Sequence, residues 1–226
     1  MFSAYRNRVN VVRTLALLFF IVPVLSFSSG LYAAEPITAA AIYGPNPAFL
    51  DEVRTKCGSG PDSFDACFLK MLGKAGAAGA AVDFARLIGE PGFMTKFKKV
   101  GPVDIAFADL PFRANENSGV YLVNGTPKMV NIDDLSAITG PMLEKDPRYM
   151  ALKKKYPDIG LFMGDRTPGS VPVVRLKDGK LQFTALYRLT TGCRACKDVG
   201  TARVGFYFDR RGTFEGRKLI DVRPAK

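Results

Sequence analysis

The spacing of hydrophobic and polar positions changes near residue 100, and this change predicts an α+β fold. Before it, apolar side chains recur every three or four positions, as at Phe49, Leu50 and Val53, which is typical of one face of a helix. After it, Val103–Ala108 alternates with period two, as a β-strand does. We therefore expect a single domain over residues 35–226, with N-terminal helices packed on a mostly C-terminal antiparallel β-meander.

Turn and capping signals divide this domain into segments. We expect mainly helix over 35–100, a strand and a hairpin over 101–132, short helices over 133–157 and an antiparallel meander over 158–226. Asn46-Pro47 marks a helix start, because a capping residue precedes a proline at the first helical position. Asn124-Gly125 separates two strand-like runs and is the strongest short hairpin signal in the chain. Asp178-Gly179 and residues 209–212 are expected to join the later strands.

The first 34 residues have the layout of a secretory signal peptide. Residues 1–14 contain three arginines and no acidic residue. An apolar segment follows over residues 15–27, and small residues then lead to Ala33 and Ala34. The apolar segment is shorter than the roughly 20 residues that a transmembrane helix needs. We expect cleavage near Ala33 or Ala34 and a periplasmic or secreted protein that does not span the membrane. An uncleaved membrane anchor is the alternative.

Four cysteines in an exported chain predict disulfide bonds rather than free thiols. We expect Cys57 to pair with Cys67 and Cys193 with Cys196, because both pairs close short local loops. The crossed pairings, which would tie the helices to the sheet, are the alternative. Only the second pair has C-x-x-C spacing and the chain has no histidine, so we expect no metal site. Basic neighbours of this pair could stabilise a thiolate, which makes thiol–disulfide exchange a second hypothesis.

The composition excludes several enzyme classes. The 226 residues include no histidine, so Ser-His-Asp and Cys-His mechanisms and imidazole general bases are absent. Carboxylates such as Glu90 and Asp133-Asp134 are scattered without a paired arrangement, and we assign no catalytic residue. No glycine-rich phosphate loop or calcium loop is present, so no cofactor is expected. The favoured function is non-enzymatic binding or interaction, and an envelope enzyme that uses carboxylates or lysine is a further alternative.

Positive charge is concentrated in the C-terminal third of the chain. The whole chain has a net charge of +11, and residues 153–226 hold 17 basic and 7 acidic side chains. Such asymmetry favours an anionic partner, for example an envelope component or an acidic protein, whereas nucleic acid does not suit the compartment. Strand alternation predicts that one solvated sheet face carries the candidate anion-binding residues Arg175, Arg188, Arg203, Tyr207 and Arg217. Solubility alone is the other explanation of this charge.

The last strand of the meander has an ambiguous alternation. Strict alternation from Phe214 would turn the charged Lys218 toward the core. A bulge near Gly216 would change the register and return Lys218 to solvent.

Overall fold

The computed structural model describes residues 35–59, 62–114, 117–138, 140 and 142–225. The expected signal peptide and its cleavage positions lie outside the described residues. The described helices are α1 Pro47–Cys57, α2 Phe64–Lys74, α3 Gly79–Ile88 and α4 Pro147–Lys155, with 3₁₀ turns at Ala39–Ala41 and Leu135–Ala137. The described strands are β1 Phe93–Lys98, β2 Asp104–Asp109, β3 Ser118–Val123, β4 Met129–Asn131, β5 Ile159–Met163, β6 Val173–Arg175, β7 Leu181–Thr191, β8 Asp198–Phe208 and β9 Phe214–Pro224.

The strands form two antiparallel sheets. The first sheet contains β1 to β4 in sequence order, and the second has the order β5-β7-β8-β9, with β6 paired to β7. Three helices precede both sheets and every strand pair is antiparallel, so the predicted α+β class is confirmed.

Strand β1 lies near the end of the segment over residues 35–100, whose other described elements are helices, and the sequence patterns did not predict it. Its pairing with β2 shifts register between Met94 and Lys96, which marks a β-bulge. The bulge breaks strict alternation, so the apolar residues Phe93, Met94 and Phe97 have a helix-like spacing in the sequence. A period-two pattern therefore could not reveal this strand.

Local capping explains where the first two helices begin. The Asn46 side chain accepts a hydrogen bond from the Phe49 backbone N–H at 2.8 Å, and Pro47 occupies the first turn of α1. Ser63 caps α2 in the same way, through the backbone N–H of Ala66 at 3.3 Å. The start of α1 follows the Asn46-Pro47 signal in the sequence.

The two sheets pack against each other through the main hydrophobic core. Ile105 and Leu122 of the first sheet belong to the same buried cluster as Phe183, Tyr187 and Phe206 of the second. The other face of the first sheet is also buried, because α3 and residues 37–41 cover it. On the other face of the second sheet, most of the described side chains are half-buried or exposed, as in an antiparallel sheet with one solvated side.

The hairpin between β3 and β4 holds the N-terminal segment in place. Asn124 has a left-handed backbone with φ of 70°, a conformation that asparagine tolerates well. Its side chain accepts from the Ile37 backbone N–H and donates to the Ile37 carbonyl, both at 2.7 Å. It also donates to the buried carboxylate of Asp104 at 2.8 Å, so one amide group joins the hairpin to the residues that open the described chain.

Candidate functional site

The cysteines pair locally, as the sequence predicted. Cys57 and Cys67 are bonded with their Cα atoms 5.5 Å apart, and this bond joins the end of α1 to α2. Cys193 and Cys196 are bonded with their Cα atoms 5.0 Å apart. No free cysteine is present among the described residues.

The Cys193–Cys196 bond closes the turn between β7 and β8. The Cys196 backbone N–H donates to the Cys193 carbonyl at 3.0 Å, and the Thr190 hydroxyl donates to the same carbonyl at 2.7 Å. Strand β8 begins at Asp198, so this C-x-x-C motif has no helix behind it to lower a thiol pKa through its dipole. Cys193 itself is exposed to solvent.

Three of the five candidate anion-binding residues share the solvent side of the second sheet. We call this side the outer face; its ladder residues on β7, β8 and β9 include Gln182, Thr184, Leu186, Arg188, Thr201, Arg203, Tyr207, Lys218, Asp221 and Arg223. Residues directly opposite in a ladder lie on the same face. Arg188 lies opposite Thr201, Arg203 opposite Leu186, and Tyr207 opposite Gln182, which places all three predicted residues on the outer face.

Arg217 does not lie on the outer face, contrary to the prediction. It is opposite Phe206, whose side chain is fully buried in the core. The reason is a bulge: Phe208 lies opposite Phe214 and Tyr207 opposite Gly216, so Glu215 is an extra residue. The bulge anticipated at Gly216 is present and turns Lys218 outward, but the same shift turns Arg217 toward the core side.

Arg175 also lies off the outer face. It is opposite Leu181, a buried core residue, at the edge strand β6. Its guanidinium donates to the Gly179 carbonyl at 3.3 Å. Strand β6 is only three residues long, so its alternation in sequence gave no firm direction.

Lys218 and Arg223 occupy the outer face in place of those two arginines. Lys218 lies opposite Gly205, with its Nζ 5.6 Å from the centroid of the Tyr207 ring. Arg223 lies opposite Thr201, in the same row as Arg188. The sequence analysis placed Lys218 toward solvent only if a bulge occurred near Gly216, and it did not predict the position of Arg223, because the two register shifts of β9 are not visible in its alternation.

Two aspartates partly neutralise the outer face. Asp221 accepts from Arg203 at 2.6 and 2.8 Å and from Arg223 at 2.9 Å. The hydrogen bond from Arg203, with the further one from Arg223, lowers the pKa of Asp221 to about 2. Arg188 donates to Asp198 at 2.7 Å.

Apolar side chains lie among these charges. Leu186, opposite Arg203, is 41% exposed, and Val174 of β6, opposite Gln182, is 53% exposed. Phe162 of β5 lies opposite Arg188 and is half-buried. The outer face therefore combines cations with exposed hydrocarbon.

A buried ion pair joins the residues that follow β4 to the residues that follow β5. Arg166 donates to Asp133 at 3.1 Å, and the two side chains are only 6% and 5% exposed. Asp133 also accepts from the Val120 backbone N–H at 3.1 Å, and the nearby Tyr187 hydroxyl donates to the Ile132 carbonyl at 2.5 Å. Burial is the main reason why the pKa of Tyr187 is raised, and the negative charge of Asp133 adds to it. Because the two residues are 33 positions apart, no local sequence pattern predicts their contact. The burial of both side chains favours a structural role for the pair.

A cleft of about 550 Å³ lies among the helices and the β2–β3 connection. Its lining includes Arg54, Phe64, Asp65, Glu90, Phe112 and Arg113. The rings of Phe64 and Phe112 meet edge to face with centroids 5.0 Å apart. Arg113 donates through Nε and Nη2 to the two oxygens of Glu90, at 2.6 and 2.5 Å.

Behind this ion pair lies the buried hydroxyl of Tyr121, which makes no hydrogen bond to a described residue. Burial raises the pKa of Tyr121, and the charge of Glu90 raises it further. No sequence pattern predicts the cleft, because its walls come from four separated segments.

Metal and membrane-spanning features are absent from the part of the chain that the structure describes. No three His, Cys, Asp or Glu side chains there are grouped so that they could hold a metal ion. None of the helices described is long and apolar enough to cross a membrane. Comparison of the chain with protein-family models, curated proteins and solved structures found no match.

Proposed function

We propose that this protein is a non-enzymatic binding protein of the cell envelope, and that its outer face attaches to an anionic lipid surface. The observation that carries the proposal is the net positive charge of that face, which has four cations and two carboxylates. The cations are Arg188, Arg203, Lys218 and Arg223, and the carboxylates are Asp198 and Asp221. Each excess cation near an anionic bilayer contributes about 1 kcal/mol.

The exposed hydrocarbon on the outer face favours a lipid surface over a soluble polyanion. Leu186 and Val174 lie beside the cations and are 41% and 53% exposed. Basic and apolar side chains on one surface are typical of proteins that bind the interface of a bilayer. A polysaccharide would use the cations but gain little from these apolar groups.

Export through a cleaved signal peptide is part of this proposal. The order of arginines, apolar segment and small residues before Ala34 supports it, and so does the even number of cysteines. N-terminal sequencing of the protein recovered from a periplasmic or culture fraction tests it. A new terminus near Ala34 or Glu35 is expected, and an intact Met1 form in the membrane would contradict cleavage.

Sedimentation with vesicles tests the attachment itself. The protein is expected to pellet with vesicles of phosphatidylcholine that contain phosphatidylglycerol, and not with phosphatidylcholine alone. The attachment should weaken as salt rises, because exposed charges are screened. Equal pelleting with both vesicles would refute the charge-based attachment, and binding only to a soluble acidic polysaccharide would replace the lipid with a polymer as partner.

Thiol–disulfide exchange is a second candidate function, favoured by one observation. Cys193 is exposed at a turn that also carries the basic residues Arg194 and Lys197. A reduction potential near about −120 to −200 mV would support exchange chemistry, whereas a value below about −300 mV would identify a structural bond.

A further inference from the structure

We propose that the cleft beside the Glu90–Arg113 ion pair binds a small organic anion with an aromatic or other apolar body. The cleft measures about 550 Å³, within the range of roughly 300–1,000 Å³ that is usual for small-molecule sites. This site is separate from the outer face and does not depend on the function proposed there.

The walls of the cleft favour an apolar ligand body. Phe64 and Phe112 present their rings, and Pro91 and Pro111 add rigid apolar surface. Phe112 is held in place by a second edge-to-face contact with the buried Phe68, at 5.9 Å between centroids. Aromatic rings in such a preformed arrangement favour flat hydrocarbon groups.

Two guanidinium groups supply donors for an anionic head group. Arg113 uses Nε and Nη2 on Glu90, and its Nη1 donates to no described residue. Arg54 donates through Nη1 to Asp51 at 2.9 Å and stacks 5.6 Å from the Phe112 centroid, with its other nitrogens unused among the described residues. A guanidinium offers five N–H donors in a fork that fits carboxylate or sulfonate oxygens.

The two acidic side chains of the cleft affect the binding of a charged ligand differently. Glu90 is already neutralised by Arg113, which takes both of its oxygens. Asp65 is exposed in the first turn of α2 and has no such partner among the described residues. Its charge opposes an anionic ligand and would assist a cationic or zwitterionic one, so Asp65 distinguishes these ligand classes.

Fluorescence titration with anilinonaphthalene sulfonate tests the site. The dye should bind, and phenylbutanoate should displace it while phenylbutylamine of the same shape should not. Arg54→Gln should weaken dye binding about fivefold to tenfold, since it removes charge-assisted hydrogen bonds. Lys56→Gln is the matched control, because Lys56 lies on the same helix, is similarly exposed and should leave binding unchanged.

Asp65→Asn decides the sign of the ligand charge. Both Arg54 and Asp65 are exposed enough for their variants to fold, which urea unfolding of each variant verifies. Tighter dye binding by Asp65→Asn supports an anionic ligand. Weaker binding, or displacement by the amine as strong as by the carboxylate, would overturn the anionic class. Equal effects of Arg54→Gln and Lys56→Gln would overturn the cleft as the site.

Discussion

Arg203 and Asp221 face each other across strands β8 and β9 and are joined by two hydrogen bonds, of 2.8 and 2.6 Å. Parallel hydrogen bonds of this kind fix the geometry of both groups and are the strongest form of an ion pair. Asp221 also holds Arg223, so one carboxylate restrains two of the four cations on the outer face. Asp221 therefore limits the positive charge that the outer face can offer to a partner.

Replacing Asp221 with asparagine should strengthen attachment to anionic vesicles. The change frees two cations and raises the net charge of the outer face by one, which corresponds to about fivefold tighter binding. Vesicle sedimentation of Asp221→Asn measures the effect. Asp83→Asn, which changes an exposed carboxylate that is paired with an arginine on α3, should leave attachment unchanged. Equal gains from both variants would mean that overall charge, not the outer face, governs attachment.

The stability contribution of Asp221 should depend on pH in the acid range. Its folded-state pKa is lowered from 3.8 to about 2, first by the hydrogen bond from Arg203. A lowered pKa stabilises the folded state above pH 3.8, and this contribution is lost as the pH falls through about 2. Urea unfolding should show a difference of about 1 kcal/mol between wild type and Asp221→Asn at pH 6. The difference should shrink between pH 4 and pH 2, and a difference that is constant over this range would contradict the assignment.

The two disulfides should contribute unequally to stability. The Cys57–Cys67 bond spans 10 positions and joins two helices, whereas the Cys193–Cys196 bond spans 3. A longer closed loop restricts the unfolded chain more, so Cys57→Ser with Cys67→Ser should cost about 2–4 kcal/mol. Cys193→Ser with Cys196→Ser should cost less, because its loop is shorter. Urea unfolding compares the two double variants, and a greater loss from the second would contradict this order.

Replacing one partner of the buried Asp133–Arg166 ion pair should lower the free energy of unfolding more than replacing both partners. Asp133→Asn removes the negative charge that faces the nearly buried guanidinium of Arg166 and should cost about 3–5 kcal/mol. Asp133→Leu with Arg166→Met removes both charges and should recover part of that loss. A double-mutant cycle by urea unfolding measures the coupling, and additive losses would show that the pair does not act as a unit.

The sequence predicted those parts of the fold whose pattern is local. The direction of Arg188, Arg203 and Tyr207 follows from the alternation of β7 and β8, and the structure confirms it. Arg217 was placed on the wrong face because Glu215 is an extra residue in the ladder, and alternation cannot show how a bulge is accommodated.

Nonlocal features could not be predicted from the same patterns. Glu90 and Arg113 meet across 23 positions, and the cleft they help to line has no signature in any one segment. The bulge in β1 likewise gave a strand the apolar spacing of a helix. The cleft and the bulge both depend on contacts between segments that are distant in the sequence, and the pattern within one segment does not show such contacts.

The affinity of charge-reversed variants for anionic vesicles tests the central claim most directly. Lys218→Glu with Arg223→Glu changes two cations of the outer face that the ladder places toward solvent. The control, Lys70→Glu with Lys99→Glu, makes the same change in net charge at exposed positions outside the second sheet. With vesicles that contain phosphatidylglycerol, the outer-face variant should bind at least about 30-fold more weakly and the control should bind nearly as wild type. Equal binding by the two variants would contradict the assignment of attachment to the outer face.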